Sequence, residues 1–132
     1  MVYLKKTSNF LVPPNPENKE KIRTEYVFIR QNNLYIKLLY NNLVFVQSAG
    51  NYVELQTCTS KKFVLKSSIV QIQHSLNYEK LIRIHRSYLI NIDHINEFSL
   101  QEVTMSNGCI LPIGKNYQDD FLELLFNISI SA

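Results

Sequence analysis

YVFIRQNNLYIKLLYNNLVFVQSAGNYVELQTCTSKKFVL, residues 26–65, alternates short runs of β-branched, aromatic and aliphatic residues with turn formers. The runs fall at 26–30, 34–39, 43–47, 51–57 and 62–65. Between them stand Gln31-Asn32-Asn33, Asn41-Asn42, Ala49-Gly50-Asn51 and Thr59-Ser60-Lys61. Such residues favour turns because their side chains bond the nearby backbone or tolerate positive φ. A spacing of roughly 8 to 10 residues between runs is that of an antiparallel meander. In the fourth run Val53, Leu55 and Thr57 alternate with Tyr52, Glu54 and Gln56, so one face of that strand is packed and the other is wet.

Toward the C-terminus, Ser67-Ser68 precedes Ile69, Ile72, Gln73 and Leu76. An N-cap followed by residues three and four apart predicts a short amphipathic helix. Strands resume at 81–84, 88–90, 95–100 and 102–105. Asn107-Gly108 then turns the chain back into a strand at 109–113, which Pro112 assigns to a sheet edge. A closing helix places Tyr117, Phe121, Leu124 and Leu125 on one face, and its Asp119, Asp120 and Glu123 suit the positive end of the helix dipole. Toward the N-terminus, residues 11–20 (LVPPNPENKE) hold three of the four prolines and read as an exposed linker. Residues 1–10 are too short to fold alone and read either as a frayed tail or as a strap against the domain. The expected organisation is a tail and Pro-rich linker over 1–23 and one folded domain over 24–132, with no internal repeat.

A chain of 132 residues that is 45% hydrophobic can bury one modest core, and 19% charged residues are too few for a self-repelling disordered polymer. Eight Tyr, seven Phe and no Trp suit sheets. There is no secretory h-region and no apolar run near the ~20 residues that cross a bilayer, so a cytoplasmic, membrane-free protein is expected. Cys58 and Cys109 lack CxxC spacing and read as free thiols. The net charge of +3 is unevenly spread: residues 30–86 carry eight cations and two anions, residues 87–132 one and six. That asymmetry permits a basic face, and a mixed solvated surface is equally compatible with it.

The usual catalytic constellations are missing. No Gly-x-Ser-x-Gly elbow exists, Asp93-His94 reads as a polar loop, and glycines at 50, 108 and 114 cannot form a phosphate-cradling loop. His74, His85 and His94 are off metal-ligand spacing. No enzyme activity, catalytic residue, cofactor, metal or small-molecule substrate is expected.

The stretch Leu81-Ile82-Arg83-Ile84-His85-Arg86-Ser87-Tyr88-Leu89-Ile90-Asn91 sets polar groups into otherwise apolar sequence. In the plainer reading Arg86 caps a strand end or pairs with a carboxylate, while His85 and Asn91 satisfy the backbone of a bend. In the functional reading a loop presents Arg86 to DNA, where a planar guanidinium suits guanine or a narrow minor groove, and Arg83 serves phosphate. The turns Gly50-Asn51-Tyr52 and Gly114-Lys115-Asn116 carry the same pair of readings: ordinary turn residues, or side chains offered to successive grooves of a duplex.

The blocks Phe45-Val46-Gln47-Ser48-Ala49-Gly50-Asn51-Tyr52-Val53, Ile82-Arg83-Ile84-His85-Arg86-Ser87-Tyr88-Leu89-Ile90-Asn91-Ile92-Asp93-His94-Ile95, Asn107-Gly108 and Leu111-Pro112-Ile113-Gly114-Lys115-Asn116-Tyr117 resemble, in order, the signature blocks of LytTR domains. The resemblance covers about residues 25–126. It implies a mostly β domain, an elongated stack of antiparallel sheets with one or two short helices, which enters DNA by loops rather than by a recognition helix. By matching position, the loops at Asn51 and Lys115 would face successive major grooves with Arg86 near the intervening minor groove. Tyr52 lies in the first of these loops, and Arg83, His85, Ser87 and Asn116 would support them or touch phosphate.

The implied function is sequence-specific binding of double-stranded DNA in bacterial transcription regulation, often by two protomers on paired promoter repeats. The family most often has Ser-Arg where this chain has Gly114-Lys115. A lysine gives up the bidentate fork, which leaves base reading and phosphate grip both open at that position. LytTR domains usually follow a receiver or sensor, so 132 residues suggest either a free-standing regulator or an output domain; Lys19, Lys21 and Arg23 of the linker are further candidates for the DNA backbone. The competing class is a protein-interaction β-domain without salt-sensitive DNA binding, and a thiol- or metal-sensing role is a third.

Overall fold

A computed structural model describes Val2–Tyr3 and residues 25–131. In chain order the strands and helices are β1 Val2–Tyr3, β2 Tyr26–Gln31, β3 Leu34–Leu39, β4 Leu43–Ala49, β5 Tyr52–Thr57, β6 Lys62–Lys66, α1 Ile69–Leu76, β7 Leu81–His85, β8 Tyr88–Asn91, β9 Ile95–Phe98, β10 Glu102–Met105, β11 Ile110–Pro112 and α2 Gln118–Phe126. Single 3-10 turns occupy Tyr40–Asn42, Ile92–His94 and Lys115–Tyr117. The protein is mostly β, as expected, and every strand pairing is antiparallel.

Residues 26–65 do not form one meander. The strands lie in three sheets of order β1-β2-β3, β6-β5-β4-β8-β7 and β11-β10-β9. The 3-10 turn Tyr40–Asn42 carries the chain from the first sheet into the second, and it is pinned there because the buried Tyr40 donates its hydroxyl to the Leu76 carbonyl at 2.7 Å. Period-two alternation marks a strand's packed face but not the sheet to which the strand belongs.

The five-stranded sheet is the middle layer, packed on one face along its whole width and on the other across β4, β8 and β7, while the second face of β5 and β6 stays wet, as expected for β5. Val46, Val53, Leu55 and Leu89 join Val27, Ile29 and Leu38 of the first sheet and Ile69, Ile72 and Leu76 of α1 in one core. Phe45, Ile84 and Ile90 join Val103, Met105 and Leu111 of the third sheet and Phe121 and Leu125 of α2 in a second. Adjacent residues Leu89 and Ile90 thus serve opposite cores, as strand alternation requires. Register shifts between Leu43 and Phe45 and between Arg83 and His85 insert Val44 and Ile84 as bulged residues, and both are fully buried in the second core.

Ser68 caps α1 in a complete capping box: its side chain accepts from the Gln71 backbone N–H, and the Gln71 side chain accepts from the Ser68 N–H. In α2 the buried face is Phe121 and Leu125 with Leu122 partly buried. Leu124 is 41% exposed, which corrects its placement on the packed face. The strand expected at 95–100 stops at Phe98, because the Ser99 hydroxyl accepts from the N–H groups of Gln101 and Glu102 and bends the chain there. The last strand begins at Ile110, since Cys109 is held in the turn by the Asn107 side chain. Pro112 does lie on an edge strand. Val2–Tyr3 pairs with Ile29 and Phe28, as a strap would; the Pro-rich linker at 11–20 lies outside the described residues.

Candidate nucleic-acid interface

The β4–β5 hairpin closes through Gly50, whose φ of +64° favours glycine. It leaves Asn51 exposed and Tyr52 48% exposed at its tip. The next strand in the sheet, β8, begins at the same end: Gln47 pairs with Tyr88, and the Ser48 N–H donates to the Ser87 carbonyl at 2.9 Å. The Asn51 hairpin and the Arg86-Ser87 turn are therefore neighbours.

That second turn is built by its own side chains. Arg83 donates from Nε to the His85 carbonyl at 3.2 Å and from Nη2 to the Arg86 carbonyl at 2.7 Å, and its guanidinium lies 5.7 Å from the Tyr117 ring centre. His85 accepts the Ser87 N–H on Nδ1 at 3.1 Å, which assigns the remaining ring proton to Nε2 when the imidazole is neutral. Arg83 and His85 thus buttress the bend. Arg86 projects outward, exposed, with no hydrogen-bonding or ionic partner for its side chain among the described residues.

The third loop is tied to the edge of the same sheet. The Gly114 N–H donates to the Ile84 carbonyl at 2.8 Å. A Cβ at Gly114 would lie 3.1 Å from the Tyr117 ring and 3.4 Å from the His85 ring, so glycine lets the loop approach the second turn closely. Lys115 and Asn116 follow, both exposed, in the 3-10 turn that leads into α2. The structure therefore gathers Asn51, Tyr52, Arg83, His85, Arg86, Ser87, Lys115 and Asn116 at one end of the molecule.

The plainer reading of the central stretch holds for two residues. His85 satisfies the backbone of the bend, and the buried Asn91 donates to the Tyr40 and Leu43 carbonyls at 3.2 and 2.9 Å while accepting the Asp93 N–H at 3.0 Å. Arg86 pairs with no carboxylate among the described residues. A residue absent from the sequence reading also stands at this end: Lys66, the last residue of β6, is opposite Tyr52 in register, and the following Ser67 N–H donates to the Asn51 carbonyl at 3.2 Å. Its only sequence signal is its place at the strand end that pairs back on the hairpin.

Among the described residues no group of three or more His, Cys, Asp or Glu could hold a metal ion. Cys58 and Cys109 are both exposed free thiols. Among the described residues no helix is long and apolar enough to cross a membrane.

A family model described as the LytTr DNA-binding domain matches residues 33–126. The chain belongs to the LytTR family. Across 89 residues, 64% of this chain, the LytTR domain is 28% identical to the transcriptional regulatory protein LytR of Staphylococcus aureus, covering 36% of that protein. Across 121 residues, 83% of the chain, it is 25% identical to the sensory transduction protein LytT of Bacillus cereus, covering 49% of it. The match thus spans half or less of the length of these curated relatives. The fold is shared with the LytTr DNA-binding domain of a methyl-accepting/DNA response regulator from Bacillus cereus, with a TM-score of 0.65 at 19% identity over 78% of this chain and 98% of that one. Membership of the LytTR family makes this a DNA-binding domain of transcription regulation.

Proposed function

We propose that this LytTR domain binds double-stranded DNA sequence-specifically through its three clustered loops, inside the bacterial cytoplasm. The observation that carries the reading is the convergence of Asn51, Arg86 and Lys115 on turns joined by backbone hydrogen bonds at one end of the middle sheet. Neither helix is suited to lie in a groove. α1 buries Ile69, Ile72 and Leu76 in the core, and the solvent side of α2 carries Asp119, Asp120 and Glu123, which repel phosphate.

Each loop offers a different chemistry. The Asn51 amide suits the adenine edge, the Arg86 guanidinium suits guanine or a narrow minor groove, and the Lys115 ammonium suits a phosphate oxygen. Arg83 and His85 act through the turn they brace. One module of this size gives a small footprint, so two copies on repeated half-sites of a promoter would supply the affinity that regulation requires.

Selection from a randomised duplex pool, followed by titration of the enriched duplex and a scrambled one at two salt concentrations, tests this. A repeated motif should enrich, and Arg86→Ala should weaken its binding by about 1–3 kcal/mol while relaxing preference at the bases it faces. Lys115→Ala should weaken all duplexes alike and flatten the salt dependence. Equally weak binding of every duplex by wild type would sink the proposal and favour a protein partner instead.

A further inference from the structure

Nine cations lie in the described part of the chain, and six are engaged internally. Arg30 donates to the Asn32 carbonyl and faces Tyr35; Lys37 lies 4.3 Å from the Tyr26 ring centre and Lys61 5.8 Å from that of Phe63. Lys62 pairs with Glu54 at 3.7 Å, Lys80 with Asp93 at 2.8 Å, and Arg83 serves the carbonyls of its turn. The three whose side chains have no partner among the described residues are Lys66, Arg86 and Lys115, and all three lie at the loop end.

We infer that Lys66 is a further DNA contact, holding a backbone phosphate beside the groove that the Asn51 hairpin enters; this rests on the function proposed above. Lys66 is exposed at the rim of an open depression of about 450 Å³ that it lines with Gly50, Asn51, Ser67, Ser68 and Gln71. Apart from the Asn51 amide at the hairpin tip, the side chains that line the depression beside Lys66 are bonded to one another or to backbone. Ser68 and Gln71 are committed to each other in the capping box, and the Ser67 hydroxyl donates to the Ser68 carbonyl. The ammonium is the one charged group there, on a flexible stem anchored by a strand that pairs directly with the hairpin. A compact, strongly hydrated charge of this kind grips phosphate without reading bases.

The test measures affinity for the enriched and scrambled duplexes against salt, for wild type, Lys66→Gln, Lys66→Arg and Lys62→Gln. Lys62 begins the same strand and serves as its control. Loss of one phosphate contact should lower the slope of log affinity against log salt by about 0.9. The advantage of wild type over Lys66→Gln should then shrink about threefold between roughly 50 and 200 mM salt, on both duplexes. Lys66→Arg should keep the wild-type slope, as should Lys62→Gln. A methylphosphonate scan of the enriched duplex should reveal one phosphate whose neutralisation weakens wild type but not Lys66→Gln.

An unchanged slope in Lys66→Gln, with Arg86→Ala still weakening the enriched duplex, would overturn the Lys66 assignment and leave the DNA reading intact. If wild type binds no duplex above background, both fall together.

Discussion

Asn91 shows how much one buried polar side chain can hold. Its amide satisfies two carbonyls and one N–H at the junction of the first 3-10 turn, β4 and the second 3-10 turn. Replacing it by Ala takes a donor from both carbonyls, of which that of Tyr40 keeps the Leu43 N–H, and the lost buried bonds should cost about 1–3 kcal/mol. Asn91→Ala should lower the denaturation midpoint with an unchanged m-value, and a midpoint equal to wild type would show that water replaces the amide without cost. Tyr40 offers a second test. Burial, followed by the neighbouring Tyr78, pushes its hydroxyl up to about 12. An unfolded tyrosine ionises near pH ~10, so this contribution to stability is complete below that pH and is lost as pH rises through about 12. Tyr40→Phe should flatten the fall in stability over that window, leaving the smaller part due to Tyr78, which burial raises as well.

Among the elements, α1 and the β10–β11 turn depend on single residues whose roles are local. Ser68→Ala should cost about 1 kcal/mol by opening the capping box. Gly108 sits at φ +88° with open space around the position of a Cβ, so Gly108→Ala should cost about 1–2 kcal/mol from backbone strain alone. Thermal unfolding reads both, and a neutral Gly108→Ala would mean that the turn relaxes to another type. These are also the elements that the sequence made legible, because a cap and a tight turn are written in adjacent residues. The division of 26–65 between two sheets was not, since it depends on Tyr40 finding Leu76, a partner 36 positions away. Leu124 was misplaced for a related reason: helical spacing admits several neighbouring stripes, and only packing against β7 and the third sheet decides which one is covered. The residues of the loop end were legible through family blocks, whereas their convergence required the bonds from Ser48 to Ser87 and from Gly114 to Ile84. Lys66 carried no motif at all.

The whole molecule is two cores sharing one sheet. Leu89 and Ile90 are each completely buried, on opposite faces, so Leu89→Ala and Ile90→Ala should each destabilise by about 2–5 kcal/mol. Because both cores hang on the same strands, either change should shift a single transition in which tyrosine fluorescence and far-ultraviolet circular dichroism coincide. Two separated transitions would show that the outer layers melt independently. At the loop end, by contrast, the ties between Ser48 and Ser87, Ser67 and Asn51, and Gly114 and Ile84 run from backbone to backbone. They would survive replacement of the side chains at positions 51, 66, 86 and 115. On the proposed function, a lineage that exchanged residues 51 and 86, one generation after another, would acquire a new operator while inheriting the scaffold, and exchanges at 66 and 115 would only tune its grip.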